Sequence, residues 1–154
     1  MLIRISDDVD KGEIVLQENN NYRISASTMA LVTAKHPYYR SIIFDEEGTY
    51  LSLQTIVSMF LDLGIKEYEM SRGKDKYRNN EAQVSYIMNT EQNIYAFSTK
   101  MKTETNCMWI FPEHVEEIGE QTFPRLTFKN GERLKINCTK EQYMQGEKDL
   151  QFLK

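Results

Sequence analysis

The chain has 154 residues, 40% hydrophobic and 11% aromatic, enough for one ordinary core and too few for several. Net charge is −4 and the pI about 5.3, so the mean field repels phosphate and any nucleic-acid contact has to come from a local basic patch. No apolar run approaches membrane-spanning length, MLIRISDD lacks the apolar stretch of a signal peptide, and Cys107 and Cys138 stand alone without zinc spacing; a reduced cytoplasmic protein is expected.

Residues 2–6 and 13–17 read as strands around the acidic turn Asp7–Lys11. That turn is a solvated one, because Gly12 falls where a calcium loop needs an oxygen ligand. Asn19-Asn20-Asn21 marks the next turn. Strands are predicted at Tyr22–Ser25 and Met29–Ala34, with a break at Lys35-His36-Pro37, since proline cannot donate in a ladder. Tyr39–Phe44 and Thr49–Leu51 form a hairpin over Asp45-Glu46-Glu47-Gly48.

A central helix follows, with Ser52 as N-cap and Gly64 as its stop. Leu53, Ile56, Val57 and Phe60 recur at helical spacing as one stripe, widened by Met59, Leu61 and Leu63. Asp62 is the only charge between its ends. A surface helix normally carries a charged outer face, so this one should be covered on more than one side, by its own sheet or by a second subunit.

The pattern then changes. IKEYEMSRGKDKYRNN loses its apolar period, and Arg72, Lys74, Lys76 and Arg78 stand against Asp75, making this the most basic segment of an acidic chain. Gly73 and Asn79-Asn80 favour a loop. Strands resume at Ala82–Met88 and continue through IYAFST, the MWI segment after Cys107, and HVEEI. The last hairpin turns at Lys129-Asn130-Gly131. A two-residue turn would scatter its apolar groups over both faces. A three-residue loop with Gly131 left-handed instead sets Leu126 opposite Leu134, with Phe128 and Ile136 on the same face. The other face, with Thr127, Arg133 and Lys135, is basic and wet. Thr139 and Gln142 form a capping box for a final helix with a weak apolar face of Tyr143, Leu150 and Leu153, weakened further by Gly146. The fold class is α+β: a β-rich single domain, residues 1–154, of antiparallel strands and hairpins with one central helix and one C-terminal helix.

Catalytic motifs are absent: no GxSxG, no Walker loop, no HExxH and no dinucleotide fingerprint. Cys107 and His114 are the one conceivable nucleophile and base. Cys107 lies in an apolar strand with nothing to lower its pKa, so inert packing is the better reading. His114 reads as a hydrogen-bonded structural residue, and His36 as a solvent-facing turn residue. No enzyme, metal or cofactor is expected. The basic segment points instead to phosphate, because Lys and Arg that reach phosphates release condensed counterions. Arginine can also enter a narrow minor groove. Lys66, Lys100 and Lys102 extend the patch.

IYAFST (Ile94–Thr99), Cys107 with Trp109-Ile110, His114-Val115, and LTFKNG (Leu126–Gly131) together resemble the ComK family of competence transcription factors of Gram-positive bacteria. So do Leu53-Gln54-Thr55-Ile56-Val57, Phe60, Gly64 and Tyr68. The resemblance covers most of the chain and rests on order and spacing. It implies a DNA-binding activator that reads AT-rich sites through the minor groove and assembles as a homodimer or higher oligomer on DNA. The family's short basic glycine segment corresponds to Ser71–Lys74. Three departures stand out. The loop here is longer and mixed with acid. The family's aromatic-proline pair is Phe97-Ser98. Typical members also continue for a few tens of residues beyond the end of this sequence, in a tail involved in activation and in capture by the adaptor of a Clp protease, so the resemblance does not carry the adaptor contact over. A looser similarity to LytTR-type domains also points to β-rich DNA binding, as fold-level analogy.

The sequence therefore predicts a cytoplasmic regulator, nucleoid-associated when bound, whose DNA contact comes from Lys66, Arg72, Lys74, Lys76, Arg78, Lys100 and Lys102. The alternative is a short paralogue that has lost DNA binding and modulates a full-length regulator through mixed dimers.

Overall fold

The computed structural model describes residues 16–64, 67–69, 85–100 and 106–154. Among these, eight strands form one sheet in the order β1-β4-β3-β2-β8-β7-β6-β5, and three more form a second sheet in the order β11-β10-β9. The eight are β1 (Gln17–Glu18), β2 (Thr28–Thr33), β3 (Ser41–Asp45), β4 (Gly48–Ser52), β5 (Glu67–Glu69), β6 (Ser85–Asn89), β7 (Ile94–Ser98) and β8 (Met108–Ile110). The three are β9 (Val115–Ile118), β10 (Arg125–Phe128) and β11 (Arg133–Lys135). Helices α1 (Ile56–Leu63) and α2 (Lys140–Leu153) complete it, giving the expected strand-rich α+β fold. Neither helix is long and apolar enough to cross a membrane.

The large sheet is buried on both faces, which is why its strands read as continuous apolar runs rather than alternating ones. Leu31, Ile43, Ile87, Ala96 and Trp109 face α1, where Phe60 packs edge-on against Trp109 at 4.9 Å. Val32, Ile42, Phe44, Tyr86, Phe97, Met108 and Ile110 face the small sheet and α2. Two side chains of the same strand thus serve two separate cores.

The last hairpin has the expected register. Leu126 pairs with Leu134, Phe128 N–H donates to Glu132 O at 2.8 Å, and Gly131 closes the three-residue loop at φ 92°. Leu126, Phe128, Leu134 and Ile136 are buried, while Arg133 and Lys135 are exposed. On the other edge of β10, β9 carries a bulge at Glu116. The β3–β4 hairpin turns through Glu46-Glu47 between the paired Asp45 and Gly48.

Several expectations are corrected. Tyr22–Ser25 is not a strand: the Gln54 side chain accepts from Tyr22 N–H (2.9 Å) and donates to Tyr22 O (3.0 Å), so side-chain amide bonds replace a ladder. Ser52 ends β4, and the α1 N-cap is Thr55, which accepts from Ser58 N–H at 3.1 Å. Gly64 does stop the helix, at φ 69°. The predicted stripe of α1 divides: Met59 and Phe60 are buried, but Val57 and Leu61 remain 65% and 73% exposed and Leu53 41%. The sheet covers one side only. The N-terminal calcium-like turn and residues 2–6 lie outside the described residues.

At the other end of the chain, the capping box of α2 is present, with Thr139 and Gln142 each bonded to the other's backbone N–H. Gly146 is there for close approach. A Cβ at this position would stand 2.6 Å from the Phe97 ring. Polar burial supplements the helix's weak apolar face: Tyr86 donates to Asp149 at 2.8 Å, and Gln145 Nε2 donates to the same carboxylate at 2.7 Å.

Candidate nucleic-acid interface

Strand direction decides which connections meet. β2 is antiparallel to β3 and β8, β8 to β7, β7 to β6, and β6 to β5. The strand ends that bear three connections therefore lie at one end of the large sheet: the exit of β2 and entry of β3 (residues 34–40 join them), the exit of β7 and entry of β8 (99–107), and the exit of β5 and entry of β6 (70–84). All three are net basic by sequence, in a chain whose total is −4. Strands lie about 4.8 Å apart. The strand pairs that bear these connections, β3/β2, β8/β7 and β6/β5, follow one another at roughly 10 Å intervals along the sheet order.

The opposite end is acidic. There the connections carry Glu46, Glu47, Glu91 and Glu113, all exposed, beside Lys129. His114 holds this end together: its Nε2 donates to Ala26 O at 2.7 Å, and its Nδ1 lies 3.1 Å from the Glu46 carboxylate. Asn130 Nδ2 donates to Glu46 O at 3.2 Å. His114 is therefore structural. Cys107 sits elsewhere, buried in the α1-facing core, and its thiol is 3.5 Å from Lys100 O. The pair forms no nucleophile and base.

Of the predicted contact residues, Lys100 lies at the basic end, half-buried at the exit of β7. Lys66, Arg72, Lys74, Lys76, Arg78 and Lys102 lie outside the described residues. The connection that bears Lys100 is anchored at both sides. Thr99 N–H donates to Met108 O (2.8 Å), Met108 N–H to Thr99 Oγ1 (3.2 Å), and Thr99 Oγ1 to Asn137 Oδ1 (2.6 Å). Asn137 Nδ2 then donates to Asn106 O at 2.6 Å. One side chain, from the segment after β11, spans the two feet of this connection. The adjoining Cys138 is buried, and desolvation pushes its thiol up to about 12, opposed by the Lys100 charge.

Sequence reasoning passed over Asn137, and over the β2–β3 loop, which reads as a proline break. No local signal announces the Asn137 contacts, because Thr99 and Asn106 are distant in sequence. The loop did carry one: Lys35-His36-Pro37-Tyr38-Tyr39-Arg40 sets aromatics between two cations. His36 does not simply face solvent. It is half-buried, and its Nδ1 accepts the N–H groups of Tyr38 (3.0 Å) and Tyr39 (3.2 Å).

A family model described as ComK protein matches residues 19–147. The chain belongs to the ComK family. Membership supports a role as a competence transcription factor. The match takes in both sheets from the exit of β1 onward, α1, and α2 as far as Glu147. It thus includes the whole basic end of this ComK-family chain. No curated protein and no solved structure matches it.

Proposed function

We propose that this ComK-family chain acts as a single DNA-binding domain: a sequence-specific regulator that reads AT-rich duplexes through the minor groove from the basic end of its large sheet. The observation that carries this reading is the end-to-end charge division, three net-basic connections at one end and acidic turns at the other. A protein of negative net charge can bind a polyanion when its field is divided in this way, since local potential governs contact. Arg72 and Lys74 lead the contact, with Lys76, Arg78, Lys100 and Lys102 in support; Lys66 precedes β5, which enters from the acidic end, and so falls outside this contact. Arginine in a narrow AT-tract groove supplies selectivity, and lysine at phosphate supplies affinity. Asn137 acts as a positioning residue for Lys100. The protein works in the cytoplasm, on the nucleoid.

The reading includes a homodimer. Val57 and Leu61 lie four residues apart on the outer side of α1, with Leu53 in the segment just before it, all three exposed and apolar. A second copy of the same stripe is the occupant that fits, since an isologous contact needs only one self-complementary patch. Two protomers then bring two basic ends to one duplex.

The test is fluorescence anisotropy of an AT-tract duplex against a GC-rich one, at low and near-physiological salt. AT preference that persists at the higher salt is expected. Equal, salt-labile binding to both duplexes overturns minor-groove reading. Dimerisation with no DNA affinity at low salt selects the alternative, a protein-interaction module.

A further inference from the structure

We infer that the β2–β3 loop, Lys35–Arg40, is a second and preformed DNA contact that grips the sugar–phosphate backbone beside the site above. The inference rests on the DNA-binding reading and extends it to residues outside its contact set.

Surface loops with cations are common, and most are solvated. This one differs in being built. Its base is closed by Ala34 N–H to Arg40 O at 3.0 Å, and Arg40 N–H donates to Ser52 O at 2.9 Å. The two bonds into His36 Nδ1 fix the turn from within. The His36 and Tyr39 rings pack at 5.1 Å, and Tyr38 meets Tyr39 edge-on at 5.3 Å. The Tyr39 hydroxyl donates to Glu18, which also accepts from Asn20 Nδ2. These bonds, Tyr39 first, hold the Glu18 carboxyl below its ordinary range. Tyr39 is thus a post and Tyr38 the tip.

All this order serves a side chain that the fold does not bury. Tyr38 is 63% exposed, with Lys35 and Arg40 exposed on either side of it. Two cations against the single Glu18 carboxylate leave the loop net positive. An exposed amphipathic ring suits a deoxyribose and a phosphate oxygen, and tyrosine donates to phosphate in such interfaces. A preformed loop also avoids the ordering cost that a floppy one would pay on binding.

Position selects the partner. β2 pairs with β8, so this loop is next to the connection that bears Lys100. From the β3/β2 pair to the β6/β5 pair the sheet end spans roughly 20 Å. That is about six base pairs at 3.4 Å each. A duplex laid across the end reaches the ends of all three strand pairs. The β2–β3 loop is at the far side from Arg72 and Lys74 in sheet order, so it contacts backbone flanking the groove site and contributes affinity without base reading.

The experiment uses the full chain, AT-tract and GC-rich duplexes, and a salt series read by anisotropy, with Lys35→Ala plus Arg40→Ala, and separately Tyr38→Ala. The double variant should flatten the slope of log affinity against log salt by about two units, by the same amount on both duplexes. Tyr38→Ala should lower affinity and leave the slope unchanged. Melting temperatures should match the wild type, since all three side chains are exposed. If the wild type binds DNA and both variants bind as it does, the loop is not at the interface and the inference is wrong. If the wild type binds neither duplex at low salt, the DNA reading itself fails and the inference goes with it.

Discussion

Gly146 sits in the interior of α2, where glycine ordinarily costs stability, and replacing it by alanine in a helix normally gains about 1 kcal/mol. Here the opposite sign is expected. The added Cβ would stand 2.6, 2.7 and 3.1 Å from Cδ2, Cε2 and Cγ of Phe97. The ring cannot swing away, because Phe97 is buried in β7 and packs against Tyr143 at 5.3 Å. Overpacking of this kind costs typically about 1–3 kcal/mol. Set against the helix gain, Gly146→Ala should destabilise the protein by about 1 kcal/mol. In urea unfolding this shifts the midpoint down by roughly 0.5 M at an ordinary m-value. The same substitution in a Phe97→Leu background should regain the stabilising sign, since the clash is with the ring. A higher urea midpoint for Gly146→Ala in the native background would refute the close-approach argument.

Arg72→Ala with Lys74→Ala should flatten the salt slope of DNA binding by about two units, and reduce the preference for the AT duplex at near-native melting temperature; unchanged AT affinity removes those residues from the contact. Asn137→Ala loses two hydrogen bonds worth about 1 kcal/mol each, and should weaken DNA binding beyond its effect on melting, because Lys100 is no longer held; an unchanged affinity would limit Asn137 to stability. Stability should fall as pH rises above 9. The Cys138 thiol ionises from 9.0 when solvated but is pushed up to about 12 when folded, and burial also raises Tyr22 and Tyr143, so the unfolded chain releases protons first. Cys138 contributes on the order of 1 kcal/mol per pH unit above 9, and a flat urea midpoint from pH 8 to 10.5 would contradict it. Val57→Asp with Leu61→Asp should convert a dimer to a monomer in sedimentation while circular dichroism shows the monomer still folded, since both side chains are exposed on the single chain; persistence of the dimer would place its interface elsewhere.

The last hairpin shows what local pattern carries. Leu126, Phe128, Leu134 and Ile136 can share a face under one loop length only, so alternation and a single glycine set the register without reference to the rest of the chain. The α2 capping box and the Gly64 stop are of the same kind, complete within a few residues. The α1 stripe shows where local pattern ends. Helical periodicity names the apolar positions, but Phe60 is buried and Leu61 exposed because the sheet reaches one side of the helix, and nothing within the helix records that. Tyr22–Ser25 had strand composition, yet Gln54, far along the chain, took its backbone groups.

The proposed DNA site divides along the same line. The most basic segment, the isolated cysteines and the ComK resemblance were legible in the order of residues, because each is a property of neighbours along the chain. Tertiary structure alone decided that the strand ends bearing three separated connections lie at one end of the sheet, that Asn137 spans the feet of one of these connections, and that Lys35-His36-Pro37-Tyr38-Tyr39-Arg40 is a built tip rather than a break. Side-chain alternation reports which face a residue takes, but it carries no information on which strand lies beside which. That order is set by long-range pairing, and the electrostatic division of this molecule follows from it.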